Sequence, residues 1–309
     1  MTRSSRAAAP ETPSRPQPAP ATGGTVTAPE ELLEAAEAAA SLAADYVRGL
    51  DRTALQREYK NDSHDIVTAH DRACEEIIVR ELARRVPGAR VIGEEGGERP
   101  GAGADGGASD SEITFYVDPI DGTSNFAAGL PLFCVSIGVA VGGELVAGVV
   151  DAPVLGEVIS AADGPVRLNG VEVAGRPTLP AKDALVLTGY PGYRAYRELP
   201  ELSAAHGRRL SDGVSAVRHL GSAALELAYV ALGRADATLL PSINAWDVAA
   251  GFHLVQSAGG SLRTWPGTTG QGRPMQEQPA YVACTGPERL AVLDEMMDEV
   301  QAARDERVA

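Results

Sequence analysis

Cysteine is scarce in this 309-residue chain. The three present, Cys74, Cys134 and Cys284, have no zinc spacing and cannot all pair, which fits a reducing cytoplasm rather than a disulfide framework. No apolar run approaches the roughly 20 residues that cross a membrane. Basic clusters are missing too. Against 27 Lys and Arg stand 42 Asp and Glu, a formal charge of −15 that argues against a nucleic-acid partner. There is no Gly-x-x-x-x-Gly-Lys loop, no Gly-x-Ser-x-Gly elbow and no cysteine in a nucleophile setting, so NTPase and acyl-transfer chemistry have no support. His64, His70, His206, His219 and His253 show no ligand spacing and read as packed or surface residues. No internal repeat is evident.

What is there is an ordinary globular composition, 44% hydrophobic and 22% charged, long enough for a sizeable core. Residues 1–28 stand apart as an Ala/Pro-rich leader without the apolar core of a signal peptide, and are expected to be disordered. The folded part is expected over 29–304, with a mixed half at 29–180 and a more regular α/β half at 181–304. Helices are predicted at 29–50, 69–86 (Thr68 as N-cap, Asp71 three residues on), 197–210, 222–232, 246–258 and 287–303. Strands are predicted at 91–92, 113–117, 133–141, 144–151, 156–160, 184–188, 235–239 and 281–284, with a hairpin at Asn169-Gly170. The run Gly96 to Ser111 has no apolar period and is expected to be a mobile loop that could close over a site. The fold class is α/β, layered.

The most informative stretch is Val117-Asp118-Pro119-Ile120-Asp121-Gly122-Thr123-Ser124-Asn125-Phe126. Asp118 is extended because a proline follows, and Asp121-Gly122 imposes a turn. A strand ending this way can set two hard oxygen ligands on one cation while amides of the next turn face an anion. Metal and phosphate together suggest phosphate-ester chemistry. An acidic surface turn is the competing reading.

Other carboxylates could complete a metal site: Glu94 and Glu95 after a strand, Asp247 after Trp246, and Asp71. Each also has a structural explanation. Asp247, three residues after Asn244, and Asp71, after Thr68, could simply favour a helix N-terminus, and the two glutamates could be solvated.

Taken in order, Asp65-Ile66-Val67-Thr68-Ala69-His70-Asp71, Ile92-Gly93-Glu94-Glu95, Asp118 through Phe126, Gly221-Ser222-Ala223-Ala224 and Trp246-Asp247-Val248-Ala249-Ala250-Gly251 resemble the inositol monophosphatase family, the lithium-sensitive Mg²⁺-dependent phosphatases. The resemblance implies an αβαβα sandwich, shared in type with fructose-1,6-bisphosphatase, assembled as a homodimer. It implies that Glu94, Asp118, Asp121, Asp247 and the Ile120 carbonyl ligate two or three Mg²⁺ ions. Glu94 and Thr123 would hold the metal-bound water that attacks phosphorus, with Asp71 orienting Thr123. Gly122, Thr123, Ser124, Gly221, Ser222 and Ala223 would contact the substrate, a small phosphorylated metabolite. A non-catalytic Mg²⁺-phosphate sensor is the alternative from another class.

The sequence departs from the inositol-specific pattern at one point. Six residues before Trp246, where those members carry a glutamate for substrate hydroxyls, stands Leu240. The expected substrate is therefore a small polyol or amino-alcohol phosphate. Histidinol phosphate, fructose 1,6-bisphosphate and 3′-phosphoadenosine 5′-phosphate stay open, and Ser222 and Asn244 are candidate polar contacts. Lys60, Arg194, Arg197, Arg208, Arg209 and Arg218 are the candidates for a second phosphate site.

Overall fold

The computed structural model describes residues 28–50, 58–59, 66–67, 69–101 and 112–308. Residues 1–27 of the leader therefore lie outside the described residues, as does Thr68. The first helix, α1 (Pro29–Arg48), has its proline in the first turn, where no amide is needed. Its inward face is mostly alanine (Ala35, Ala36, Ala39, Ala40, Ala43), so it lies close against the sheet beneath it. Strands β1 (Glu58–Tyr59) and β2 (Ile66–Val67) form a small antiparallel pair that leads into α2 (Ala69–Arg85).

The larger sheet gathers β3 (Arg90–Gly93), β4 (Gly97–Arg99), β5 (Ile113–Asp121), β6 (Cys134–Val141), β7 (Glu144–Ala152), β8 (Glu157–Ala161), β9 (Arg167–Leu168) and β10 (Val171–Glu172). Its spatial order is β10-β9-β8-β7-β6-β5-β3-β4, antiparallel except for the parallel β3–β5 pair. Asn169 and Gly170, both at positive φ, make the tight β9–β10 hairpin. Between β5 and β6 sits a short helix, α3 (Thr123–Ala127). The smaller sheet, of order β12-β11-β13-β15-β14, is built from β11 (Leu185–Leu187), β12 (Ala216–Arg218), β13 (Ala237–Leu240), β14 (Ser261–Trp265) and β15 (Ala280–Cys284). β11, β12 and β13 run parallel. The remaining helices are α4 (Tyr193–Glu198), α5 (Pro200–Gly213), α6 (Ala223–Ala231), α7 (Ala245–Ser257) and α8 (Ala291–Val308).

Three apolar clusters define the layers. α1 and α2 cover one face of the larger sheet through Leu32, Leu33, Ile78 and Leu82 against Phe115, Val117, Ile137 and Val149. α6 and α7 fill the space between the sheets, touching Val150 and Ile159 on one side and Leu187, Tyr281 and Ala283 on the other. α5 and α8 cover the far face of the smaller sheet, with Leu210, Leu293 and Met296 against Val186, Leu239 and Val282. The result is a five-layer αβαβα sandwich.

The central layer is fitted with unusual closeness. Gly138 and Gly148 are register partners on β6 and β7. A Cβ on Gly138 would stand 2.5 Å from the Ala249 Cβ, and one on Gly148 would stand 2.7 Å from the Ala250 carbonyl. The paired glycines open a trough in which α7 rests, and the helix enters that trough two residues after Asp247.

Several boundaries differ from the sequence expectation. The helix expected at 197–210 is two: Pro200 starts α5, and Leu199 before it is held out of the helical region at φ −135°, ψ 68°. The last helix begins at Ala291 rather than Pro287, with Leu290 buried in the core and Arg289 ion-paired to Asp294 ahead of the helix. The run from Gly96 is not wholly loop. Gly97, at φ +65°, reverses the chain so that β4 pairs with β3. Residues 102–111 lie outside the described residues. β12 and β14 had no counterpart in the sequence reading.

Candidate active site

The carboxyl end of β5 is where the expected residues meet. β5 is buried along nearly its whole length, which carries Asp118 and Asp121 into the protein at 2% and 7% exposure. Its ladder with β6 breaks between those two residues, so both carboxylates are freed from regular strand alternation. Asp118 folds back to accept the Ile120 amide at 3.0 Å. Asp247 comes from the opposite layer, in the first turn of α7, and also accepts the Asn244 amide at 3.0 Å. One oxygen each from Asp118, Asp121 and Asp247 lie within 4.8 Å of one another.

That donor set fits a hard divalent cation. Oxygens around octahedral Mg²⁺ at about 2.1 Å lie roughly 3 Å apart when adjacent and about 4.2 Å when opposite. Uncompensated, the same carboxylates resist ionisation. Asp118 is pushed well above the usual carboxylate range by burial, then by the charges of Glu94, Asp121 and Asp247. Asp247 is raised to about 7, by burial first and then by Asp121 and Glu94. Asp121 is raised only to about 6, because hydrogen bonds from Ser222 and the Ala224 amide offset part of its desolvation. Both partners reach its Oδ2, each at 2.6 Å.

Glu94 stands outside the tight triad, at the end of β3, its amide bonded to the Val117 carbonyl at 3.2 Å. Its charge nevertheless raises both Asp118 and Asp247. Gly122, at φ +96°, turns the chain from β5 into α3, a conformation that favours glycine. Thr123 follows. Its hydroxyl lies 3.0 Å from Asp71 Oδ1 and 3.1 Å from the Ile120 carbonyl. Asp71 itself is fully buried in the first turn of α2.

The remaining expected residues have these places. Ser222 is 2% exposed and caps α6, accepting the Leu225 amide at 3.3 Å while its hydroxyl donates to Asp121. Gly221 is exposed and Ala223 buried, both beside that cap; Ser124 is exposed on α3. Leu240 ends β13, half-buried against the central core. Arg197 stacks on Tyr193, and Arg209 pairs with Glu295 and Glu299, so both face partners on the outer layer. Lys60 and His64 lie outside the described residues. His70, His206 and His253 are packed: His70 bonds Tyr46, His206 bonds Tyr190 and Glu299, and His253 contacts the Ala162 carbonyl.

Three supporting residues went unassigned in the sequence. Asn125 ties α3 to the α6 approach by donating to the Leu132 and Leu220 carbonyls at 2.6 and 2.7 Å. Glu226, 2% exposed, holds the Leu220 amide at 2.9 Å. Glu75, one helical turn after Asp71, holds the Glu94-bearing turn. The readable signal for Glu75 was the i, i+4 spacing of two acids on one helix face.

Fold and cluster define a class: a layered α/β protein with a carboxylate site suited to divalent cations. The model of the inositol monophosphatase family matches residues 28–302, and the chain belongs to that family. It is 39% identical over 210 residues to an inositol-1-monophosphatase of Mesorhizobium japonicum, covering 66% of this chain and 73% of that one. It is 37% identical over 245 residues to the Nus factor SuhB of Pseudomonas aeruginosa, covering 77% and 87%. Among solved structures, the extragenic suppressor protein suhB of Bartonella henselae superposes at a TM-score of 0.71 with 28% identity, over 88% of this chain and 98% of that one. Among the described residues no helix is long and apolar enough to cross a membrane.

Proposed function

We propose that the chain is a Mg²⁺-dependent phosphomonoesterase acting on a small polyol or amino-alcohol phosphate. The observation that carries this reading is the convergence of Asp118, Asp121 and Asp247 beside the Thr123–Asp71 pair. Asp118, Asp121, Asp247, Glu94 and the Ile120 carbonyl would hold two or three ions. Bound Mg²⁺ supplies positive charge that lowers the pKa of the attacking water and neutralises the leaving alkoxide.

The chain's own groups do the positioning. Thr123 has one hydroxyl hydrogen and two acceptors in range, Asp71 and the Ile120 carbonyl; were the carbonyl to serve a cation, the hydrogen would go to Asp71. Thr123 and Glu94 would then hold the attacking water. The water is held for in-line attack, and the amides of Gly122 and Thr123 take phosphate oxygens. Ser222 and the Ala224 amide fix one oxygen of Asp121, which would leave the other available to ligate a cation.

Leu240 presents no hydrogen-bonding group to an alcohol, which supports a substrate other than myo-inositol phosphate. The commitments of Arg197 and Arg209 to the outer layer weigh against a bisphosphate. The homodimer implied by the family and the cytoplasmic location read from the cysteines belong to this reading, and light scattering tests the former. The Nus factor relatives raise a second reading, a role exercised through a partner. The acidic excess of the chain weighs against nucleic acid as that partner.

Turnover of a generic phosphomonoester with Mg²⁺ by the wild type decides between them. In Asp118→Asn that turnover is expected to vanish while the far-ultraviolet circular dichroism stays unchanged. The variant should also melt higher than wild type without Mg²⁺, because a repelled, buried carboxylate has gone. Near-normal turnover would sink the metal assignment. A panel of inositol 1-phosphate, histidinol phosphate, fructose 1,6-bisphosphate and phosphoadenosine phosphate then reads the alcohol.

A further inference from the structure

Asp71 and Glu75 lie four residues apart on α2 and hence on one face of it. Both are buried, at 0% and 1% exposure. Asp71 serves Thr123. Glu75 has no role in the chemistry above, yet its buried carboxylate accepts three hydrogen bonds. Oε2 accepts the Glu95 amide at 2.7 Å, and Oε1 accepts the Gly96 amide at 2.8 Å and Arg99 Nη2 at 3.1 Å. Arg99 is held in turn by Glu76 at 2.8 Å. Two consecutive amides thus close on one buried anion, immediately after Glu94.

The turn is shaped around that anion. Gly93 and Gly96 flank Glu94 and Glu95, and neither has a positive φ, so backbone freedom does not account for them. Space does. A Cβ on Gly93 would stand 2.5 Å from Glu75 Oε2, and one on Gly96 would run into the Arg99 guanidinium that pairs with Glu75 and stand 2.6 Å from Oε1. α2 itself is anchored by Cys74, Ile78 and Leu82 in the core under the larger sheet.

We propose that Glu75 is a positioning residue for the phosphatase site: α2 is a template on which Asp71 sets Thr123 and Glu75 sets the turn bearing Glu94. The two groups that hold the attacking water are then spaced by one rigid helix. This rests on the function proposed above. Glutamine cannot replace Glu75, since its NH₂ would face one of three N–H donors where an oxygen now accepts. Shortening to aspartate would withdraw the carboxylate by one methylene.

The test compares wild type with Glu75→Gln, using calorimetry with Mg²⁺ alone, amide exchange at Glu95 and Gly96, and turnover against Mg²⁺ concentration. In the variant those two amides should exchange faster and Mg²⁺ affinity should fall by about 10-fold or more, the usual loss when a ligand's supporting partner is removed. Turnover should recover towards wild type at saturating Mg²⁺, with KM for the ester nearly unchanged, whereas Glu94→Gln should stay inactive at any Mg²⁺. Loss of thermal stability with Mg²⁺ affinity within about twofold of wild type would overturn the proposal and leave Glu75 a purely structural residue. If Glu75→Gln does not fold, Gly93→Ala presses a methyl into the same carboxylate, whose atoms are its three nearest neighbours, and is expected to shift Mg²⁺ affinity likewise; an unchanged affinity there is equally fatal. Should wild type bind Mg²⁺ yet hydrolyse no phosphomonoester, the functional reading fails while the affinity comparison still decides the role of Glu75.

Discussion

Gly138→Ala asks whether the trough in the larger sheet sets the position of Asp247. The added Cβ would stand 2.5 Å from the Ala249 Cβ and 2.6 Å from the Ala250 amide nitrogen. Carbon atoms rest about 3.5–4.0 Å apart, so α7 must retreat by about 1 Å or the sheet must bend by as much. Overpacking of this kind costs about 1–3 kcal/mol, and about 2 kcal/mol corresponds to roughly 3 °C in Tm for a protein of this size. The functional loss should be larger than the stability loss suggests. Asp247 lies two residues from the contact, and ligand distances tolerate only about 0.2 Å. Mg²⁺ affinity should fall at least about tenfold and kcat about 100-fold, the scale of a 1 Å misplacement. Gly156→Ala is the control. That glycine sits at φ +67° with nothing within 4 Å of a Cβ, so the substitution strains the backbone by about 1 kcal/mol and leaves the site alone. Calorimetric Mg²⁺ titration, thermal unfolding without metal and steady-state turnover read the three quantities separately. If Gly138→Ala binds Mg²⁺ as wild type does, within about twofold, the trough does not seat Asp247 and the argument fails.

Three further outcomes are expected. Burial, then the charge of Asp121, raises Glu226 to about 7 from the ordinary 4.5. A carboxyl so raised destabilises the fold progressively as pH climbs from about 4.5 to about 7, and fully above that. Glu226→Gln should therefore match wild type near pH 4 and exceed it above pH 7 by up to about 3 kcal/mol, measured by denaturant unfolding without metal; a constant difference across pH would refute the assignment. Thr123→Val keeps side-chain volume but removes the hydroxyl at 3.0 Å from Asp71, so kcat should fall by about 10²–10³-fold with Mg²⁺ binding retained. Turnover should be inhibited by Li⁺ at millimolar concentration, an expectation from family analogy that full insensitivity would undercut.

Legibility in the sequence followed locality. Elements whose signals lie within the segment were readable: α1 from its proline start and apolar face, the β9–β10 hairpin from Asn169-Gly170, and the turn at Gly122 from Asp-Gly. β12 and β14 were not, because three to five half-buried residues at a sheet edge carry no period; they are strands only because β11 and β15 offer them partners. The break at Leu199-Pro200 was present in the letters but outweighed by helical residues on both sides. β4 was hidden in a glycine-rich run whose order comes from outside it, through Arg99 on Glu75 and Glu76.

The same distinction separates the two ends of the proposed substrate. In the proposed function, cations and phosphate would be gripped by short contiguous runs, Asp118 to Thr123 and Trp246-Asp247, whose chemistry survives reading one residue at a time. What holds those runs in register is not contiguous: Glu75 on one helix, Asn125 and Glu226 bracing the loop at residue 220, glycines that make room for α7 or for the Glu75 carboxylate. Each is a buried polar group, or a missing side chain, whose meaning depends on what the fold brings against it. The alcohol end is least legible, since a single leucine says only which hydrogen bonds are missing. Leu240 is half-buried against the central core, so replacing it with glutamate would bury part of a charged chain as well as restore an acceptor. Specificity here is tied to the packing of the central layer, and the substrate panel, rather than that one substitution, is the cleaner way to read it.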